Sequence, residues 1–216
     1  MIKLLEELCK EYDKLQQKYG DKKLNSIYFG GCTTNPDICL VFMNPTARNI
    51  TADKSWKGLH APWIGTKNVW QLFEQIGVIN EEIYLEIKSK KGKEWTPEFA
   101  EKVYQEVTKN KFFITNLAKC TQIDARELPD KIYCKYLDLF FKEMKMVNPK
   151  KIVLFGNQVS SIVLDQKISV SQVRKQKFMK DGFEYYSVYY PVGNGRFNMD
   201  KAIEDILYIK ETITNK

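Results

Sequence analysis

Six consecutive apolar residues, ICLVFM, occupy positions 38–43 and stop at Asn44-Pro45. A continuous apolar run of this length is typical of a strand whose two faces are both buried, as in a parallel sheet. Three further runs have the same character, and they lie at 112–117 (FFITNL), 151–155 (KIVLF) and 185–190 (YYSVYY). We therefore predict four buried strands.

Stretches with helical periodicity separate these strands, and they lie at 65–77, 98–108, 129–147, 157–162 and 200–210. An N-terminal helix is expected within residues 1–22, where apolar residues recur at the same spacing. Alternating strands and helices predict an α/β fold, a three-layer αβα sandwich with a central, mostly parallel four-stranded sheet. Because the sequence shows no repeat and no linker, residues 1–216 are expected to form a single domain.

Polar or turn-forming residues stand at the end of every predicted strand. They are Asn44-Pro45, Asn116, Gly156-Asn157 and Tyr190-Pro191. In open α/β sheets, ligands bind beyond the carboxyl ends of the strands. The functional site is therefore expected at that edge of the sheet.

The composition limits the classes of partner. The chain carries 34 basic and 27 acidic residues, a net charge of +7, which favours a polyanion such as DNA. The alternative is a solvated lysine-rich surface, because only four of the basic residues are arginine. No apolar stretch is long enough to cross a membrane. The five cysteines, an odd number without a secretion signal, predict a cytoplasmic protein with mostly free thiols.

Four segments and one connecting passage together carry a resemblance to a known family. They are 40–46 (LVFMNPT), 61–65 (APWIG), 113–120 (FITNLAKC) and 190–196 (YPVGNGR), with 148–156 (NPKKIVLFG) as the passage before the last segment. Their order and separations resemble the uracil-DNA glycosylase superfamily, most closely its family-4 branch. The resemblance implies a monomeric enzyme that flips a deaminated base such as uracil out of DNA and hydrolyses its N-glycosidic bond in base excision repair.

The resemblance assigns the two asparagines to the chemistry. Asn44 stands where the family places the residue that aims a water at the sugar carbon C1′, a task that a carboxamide can perform by hydrogen bonding. Asn116 matches the residue that recognises the base, accepting from uracil N3–H and donating to O4. The alternatives are that Asn44 merely ends a strand in an Asn-Pro turn and that Asn116 only caps one.

Three further positions would contact the flipped base. Trp63 matches the aromatic residue that stacks on it, although Trp56 and Trp70 are close enough in sequence to be confused with it. Thr46 stands where a bulky residue excludes 5-substituted uracils in the best-known branch. Tyr190 replaces the usual histidine that donates to uracil O2 as negative charge builds, and Tyr189 or Asn194 are alternatives for that donor.

The last segment resembles the loop that the family inserts into DNA. Gly193, Asn194, Gly195 and Arg196 occupy it, and the arginine is expected to contact a phosphate or enter the duplex. The alternative is an ordinary turn with a solvated arginine.

The family-4 branch also binds an iron–sulfur cluster through four cysteines. Only Cys120 and Cys134 match the expected positions, and no C-x-x-C pair precedes the first strand. We therefore expect no cluster, no metal and no other cofactor, with both cysteines packing as small apolar residues.

Two other hypotheses stay open. One is a non-catalytic DNA-binding relative that retains the base pocket; Tyr190 and the missing cluster support it, whereas the presence of both Asn44 and Asn116 counts against it. The other is a generic nucleotide-binding α/β protein, against which the lack of a G-x-G-x-x-G or a P-loop motif counts.

Overall fold

The computed structural model describes residues 2–125 and 128–214. Within these residues, six strands form one sheet in the order β1-β3-β2-β4-β6-β5. The strands are β1 (Phe29–Gly31), β2 (Ile38–Phe42), β3 (Phe112–Asn116), β4 (Lys151–Phe155), β5 (Lys177–Lys180) and β6 (Phe183–Val188). The four inner strands β3, β2, β4 and β6 run parallel, whereas β1 and β5 pair antiparallel at the two edges.

Helices cover both faces of this sheet. One face packs against α2 (Trp70–Gln75), α3 (Glu81–Ser89), α4 (Pro97–Lys109) and α9 (Met199–Thr214). The other face packs against α1 (Ile2–Tyr19), α5 (Asp130–Tyr133), α6 (Leu137–Val147), α7 (Asn157–Leu164) and α8 (Val170–Val173). Among the described residues, no helix is long and apolar enough to cross a membrane.

Strand β2 shows why its sequence is apolar throughout. Leu40 and Phe42 point into the core on one face, and Cys39 and Val41 point into the core on the other. All four side chains are fully buried. Since each face must be covered by helices, a strand of this kind requires the layered arrangement that is observed. The predicted three-layer αβα sandwich with parallel inner strands is therefore confirmed.

The predicted number of strands was wrong, because the described sheet has six strands rather than four. The two additional strands lie at its edges. β1 has three residues, two of them glycine, and β5 has the sequence KFMK with exposed lysine and methionine side chains. Short and charged edge strands limit pairing with other chains, and they lack the apolar run by which buried strands are recognised.

The helices differ from the sequence prediction mainly at their boundaries. The helix expected over 129–147 is divided into α5 and α6 by a 3₁₀ turn at Cys134–Tyr136. Within 65–77, only Trp70–Gln75 is α-helical. Helix α3 was not predicted, although Asn80 caps it by accepting a hydrogen bond from the Ile83 N–H at 2.9 Å.

Candidate active site

The carboxyl ends of β2 and β3 bring the two candidate asparagines to one edge of the sheet. Phe42, the last residue of β2, pairs with Asn116, the last residue of β3. The parallel pairing continues past both strands, because Leu117 N–H donates to the Phe42 carbonyl at 2.8 Å and Ala118 N–H donates to the Met43 carbonyl at 3.0 Å. Asn44 therefore leaves β2 directly beside the segment that follows Asn116.

Asn44 is half-buried, and both ends of its carboxamide are hydrogen-bonded. Its Nδ2 donates to the Pro45 carbonyl at 3.2 Å, and its Oδ1 accepts from the Tyr133 hydroxyl at 2.7 Å. These two contacts leave one lone pair on Oδ1 and one hydrogen on Nδ2. The side chain can therefore hold a water while the protein fixes its orientation.

Asn116 differs from Asn44 in having an unused donor. Its side chain is 2% exposed, and its Nδ2 is buried without a hydrogen-bond partner among the described residues. A buried donor left unpaired costs about 1–3 kcal/mol, and Asn116 Nδ2 is one of eight buried side-chain polar atoms without a partner among the described residues. The position suits a ligand that offers a hydrogen-bond acceptor, as uracil does at O4.

A buried ion-pair cluster, formed by Tyr12, Thr115, Lys119 and Glu143, lies beneath Asn116. Lys119 Nζ is 3.0 Å from Glu143 Oε2, and neither side chain has any exposed surface. Lys119 Nζ also donates to Thr115 Oγ1 at 2.6 Å and to the Asn116 carbonyl at 2.5 Å. Tyr12 and Thr115 each donate to Glu143 at 2.7 Å.

This cluster fixes the backbone that carries the base-recognition candidate. Burial lowers the pKa of Lys119, and the carboxylate of Glu143 opposes that shift. The ammonium group is joined to the carbonyl of Asn116 itself. Lys119 and Glu143 were not predicted from the sequence, because the local pattern around a charged residue does not reveal its distant partner.

Aromatic side chains surround Phe42, the residue of β2 that pairs with Asn116. The ring of Phe42 meets Trp63 edge-on at a centroid distance of 4.9 Å and Tyr190 at 6.2 Å. Trp70, by contrast, is fully buried in the core, and Trp56 donates its Nε1 to the Leu59 carbonyl at 3.1 Å. Of the three candidate tryptophans, the structure therefore brings Trp63 to the strand ends.

The backbone of Trp63 has an unusual conformation. Its φ angle is 70°, which places a bulky residue in the left-handed region at a cost of roughly 1–3 kcal/mol. Its carbonyl accepts hydrogen bonds from Thr66 Oγ1 at 2.7 Å and from Trp70 Nε1 at 3.2 Å. The loop thus holds Trp63, which is half-buried, in a conformation that it would not adopt alone.

Tyr190 lies two residues beyond the end of β6. Its hydroxyl makes no hydrogen bond to any residue in the described part of the chain, and burial raises the pKa of Tyr190 to about 12. The phenol is therefore neutral over the ordinary pH range. A neutral hydroxyl can donate one hydrogen bond to an oxygen that gains negative charge.

The glycine loop, Gly193–Asn198, is a 3₁₀ turn that packs against Tyr190. A Cβ atom on Gly195 would lie 2.0 Å from the Tyr190 carbonyl oxygen, so only glycine permits this approach. Gly193 has a φ angle of 60°, which also favours glycine. Asn194 is exposed at the surface of the same turn.

The end of the glycine loop presents an exposed cation and an exposed aromatic ring. Arg196 is exposed, and its guanidinium lies 4.5 Å from the centroid of the Phe197 ring. Phe197 is 80% exposed, the largest value among the large apolar side chains described. Phe197 was not predicted from the sequence, although it follows directly after a glycine-rich turn and an arginine, which was the available signal.

Thr46 also lies at this edge of the sheet. It forms a parallel bridge with Gln122, and the Ala47 N–H donates to the Gln122 carbonyl at 2.8 Å. The Thr46 side chain is half-buried. The segment after β2 is thereby joined to the segment after β3.

The cysteines do not form a metal-binding set. In residues 2–125 and 128–214, no group of three or more His, Cys, Asp or Glu side chains is arranged to hold a metal ion. All five cysteines are free thiols. Cys120 is buried as expected, but Cys134 is exposed, so the prediction that it packs as a small apolar residue was wrong. Burial raises the pKa of Cys120, and it raises the pKa of Cys9 to about 12. The residues present do not fit an iron–sulfur cluster.

A comparison with known families identifies the superfamily. The family model of the uracil DNA glycosylase superfamily matches residues 29–206, which include all six strands and each of the candidate site residues. No curated protein matches the chain. The matched region covers most of the sequence, and the chain belongs to the uracil DNA glycosylase superfamily.

Proposed function

We propose that this protein is a DNA glycosylase that excises uracil, or a related deaminated base, in base excision repair. The observation that carries the proposal is the buried, unpartnered Nδ2 of Asn116 at the carboxyl edge of the sheet, beside the fixed carboxamide of Asn44. A uracil flipped into this site would accept a hydrogen bond from that Nδ2 at O4 and donate N3–H to the Asn116 Oδ1.

This arrangement would distinguish uracil from cytosine. Cytosine presents an amino donor where uracil has O4, and an acceptor where uracil has N3–H. It would therefore leave both Nδ2 and Oδ1 of Asn116 unpaired. Unpaired buried groups produce strong discrimination between substrates. Trp63 would stack on the flipped base, as aromatic side chains do with any base.

Bond cleavage would require a placed water and a stabilised leaving group. Asn44 would hold the water toward C1′, and the glycosidic bond would break to leave a sugar with cationic character and an anionic base. The water oxygen then bonds to C1′, and its proton is released. The neutral hydroxyl of Tyr190 would donate to the base O2 as charge builds there.

The surface of the same edge would contact DNA. Arg196 would bind a phosphate, and Phe197 would enter the stack in place of the flipped base. Both side chains are exposed and lie on the loop that packs against Tyr190. The proposed enzyme acts as a cytoplasmic monomer and needs no cofactor.

The proposal is tested with end-labelled oligonucleotides that carry one deoxyuridine, single-stranded or opposite guanine or adenine. Hot alkali after the reaction reveals abasic sites. We expect cleavage by the parent protein and at least a hundredfold loss in both Asn44→Ala and Asn116→Ala. If the parent cleaves none of uracil, hypoxanthine and xanthine yet binds DNA in a salt-sensitive manner, the non-catalytic DNA-binding relative is the correct interpretation, with Tyr190 as the suspected cause.

A second measurement defines the base specificity. Thr46 is half-buried and smaller than the residue that excludes 5-substituted uracils in the best-known branch. We therefore expect cleavage of 5-hydroxymethyluracil as well as uracil. Cleavage of unsubstituted uracil alone would show that another group closes the pocket at C5.

A further inference from the structure

We propose that Tyr133 is a positioning residue, which holds the carboxamide of Asn44 in the one orientation that can aim a water at the sugar. This inference rests on the proposed function and adds a residue that no motif contains. The Tyr133 side chain is fully buried, and its hydroxyl donates to Asn44 Oδ1 at 2.7 Å.

The direction of these hydrogen bonds follows from the chemistry of the acceptors. The Pro45 carbonyl, 3.2 Å from the Asn44 amide nitrogen, can only accept. If the carboxamide were turned over, two oxygens would face each other at that point, and the amide nitrogen would face the phenol. The orientation with Oδ1 toward Tyr133 is therefore the favoured one, and the phenol must be the donor.

The contact with Pro45 alone would not hold the side chain. It joins neighbouring residues, it is the longer of the two bonds, and Asn44 is half-buried rather than enclosed. A side chain of this kind loses rotamer freedom only when a second, independent contact fixes it. Tyr133 supplies that contact from 89 residues away.

The fold fixes the phenol itself. Tyr133 is the last residue of α5, and the start of that helix is tied to α7. Gln158 Nε2 donates to the Leu128 carbonyl at 3.0 Å and to Asp130 Oδ1 at 2.8 Å. Since α7 begins directly after β4, the phenol is anchored to the same edge of the sheet as the asparagine.

The first test is Tyr133→Phe, which removes one oxygen and retains the ring. An error in the placement of a reacting group lowers the rate without weakening substrate binding, so we expect kcat for uracil excision to fall roughly tenfold. The Kd for a duplex with a stable abasic analogue should change less than about twofold. The matched control is Tyr186→Phe, because the Tyr186 hydroxyl donates to Glu184, which pairs with the first residue of β4 at the opposite end of the sheet. Its kcat should stay at the parent value.

A double-mutant cycle separates positioning from general support of the fold. In an Asn44→Ala background, Tyr133→Phe should produce no further loss of kcat, because the group that it positions is gone. An equal tenfold loss in both backgrounds would overturn the proposal. So would an unchanged kcat in Tyr133→Phe alone.

A pH profile adds a readout that a purely structural role would not move. Asn44→Asp introduces a carboxylate that can act as a base, and a phenol that donates to it stabilises its charged form. Adding Tyr133→Phe should therefore raise the pKa of that carboxylate and move the acid limb of the kcat profile to higher pH. An acid limb at the same pH in both variants would contradict the proposal.

Nuclear magnetic resonance of the side-chain amides tests the proposal independently of catalysis. The Asn44 amide signals are assigned by their loss in Asn44→Ala. In Tyr133→Phe we expect these signals to shift while those of Asn116 stay in place. If the parent cleaves no base but the Asn44 signals shift, the proposed function fails and the positioning role stands. Unshifted Asn44 signals would overturn the positioning role, whether or not the parent cleaves DNA.

Discussion

The ion-pair cluster and the glycine loop lie at the same end of the sheet but are built in opposite ways. Lys119 and Glu143 have no exposed surface, and their polar atoms are bonded to one another and to the end of β3. Phe197, in the glycine loop, is 80% exposed, and its neighbour Arg196 is also exposed. The comparison indicates that the cluster maintains the geometry of the strand end, whereas the loop presents its cation and its aromatic ring to solvent.

Removing the cation of the cluster should produce the largest effect. Lys119→Met leaves Glu143 as a buried carboxylate without its partner, which typically destabilises a protein by about 3–5 kcal/mol. Urea unfolding measures the change in the free energy of unfolding. Lys119→Met combined with Glu143→Leu removes both charges and should recover most of the loss; no recovery would show that the ion pair is not the source of the effect.

Gly195→Ala tests the contact between the glycine loop and the strand ends. The added Cβ would lie 2.0 Å from the Tyr190 carbonyl oxygen, which is backbone and must move. We expect a loss of about 1–3 kcal/mol in the free energy of unfolding and a lower kcat, because Tyr190 is displaced. The comparison is Gly182→Ala, where nothing lies within 4 Å of a Cβ and only the φ angle of 84° produces strain, whereas the φ angle of Gly195 is not positive. Gly182→Ala should leave kcat at the parent value, and an equal loss of kcat in the two variants would exclude the Tyr190 contact as the cause.

Substitution of the exposed residues Arg196 and Phe197 should weaken DNA binding and leave the stability of the protein unchanged. Phe197→Ala should weaken binding to a duplex with a stable abasic analogue by about 1–3 kcal/mol, the usual contribution of one stacked base. The free energy of unfolding should change by less than about 0.5 kcal/mol, as for other surface substitutions. Arg196→Ala should reduce the slope of log Kd against log salt concentration by about one, as expected for the loss of one phosphate contact. A change in stability without a change in binding would reverse the roles that we assign to the two regions.

The smallest expected effect concerns pH: the loss of kcat caused by Tyr190→Phe should not depend on pH. Because burial raises the pKa of Tyr190 to about 12, its hydroxyl keeps its proton from about pH 6 to about pH 9. Tyr190→Phe should lower kcat by the same factor at every pH in that range. A factor that shrinks toward pH 9 would show that the phenol ionises there.

The same raised pKa gives the sign of a stability effect. The protonated phenol is favoured in the folded protein, so its contribution to stability is complete below about pH 10, the ordinary pKa of tyrosine. The contribution is lost as the pH rises toward 12. Between about pH 10 and about pH 12, the free energy of unfolding should fall less steeply in Tyr190→Phe than in the parent protein.

The sequence was informative where a feature depends on local pattern. Buried strands require side chains that are apolar on both faces, and the run at 38–43 and its three counterparts are of this kind. Two edge strands were not predicted, and they are Phe29–Gly31 and Lys177–Lys180. Both are only partly buried, and they carry glycine or lysine instead of an apolar run. The break at Cys134–Tyr136 has no sequence signal of its own, because the apolar periodicity continues through it.

The candidate site divides along the same line. By itself, the sequence determined which residues end the strands, and parallel strands necessarily bring their carboxyl ends, with Asn44 and Asn116, to one edge. Only the tertiary structure decided what lies behind them. The Tyr133 hydroxyl bonded to Asn44 and Glu143 bonded to Lys119 are pairings across 89 and 24 residues of sequence. Such pairings depend on how the helices pack over the sheet, and packing is a property of the whole chain rather than of any segment.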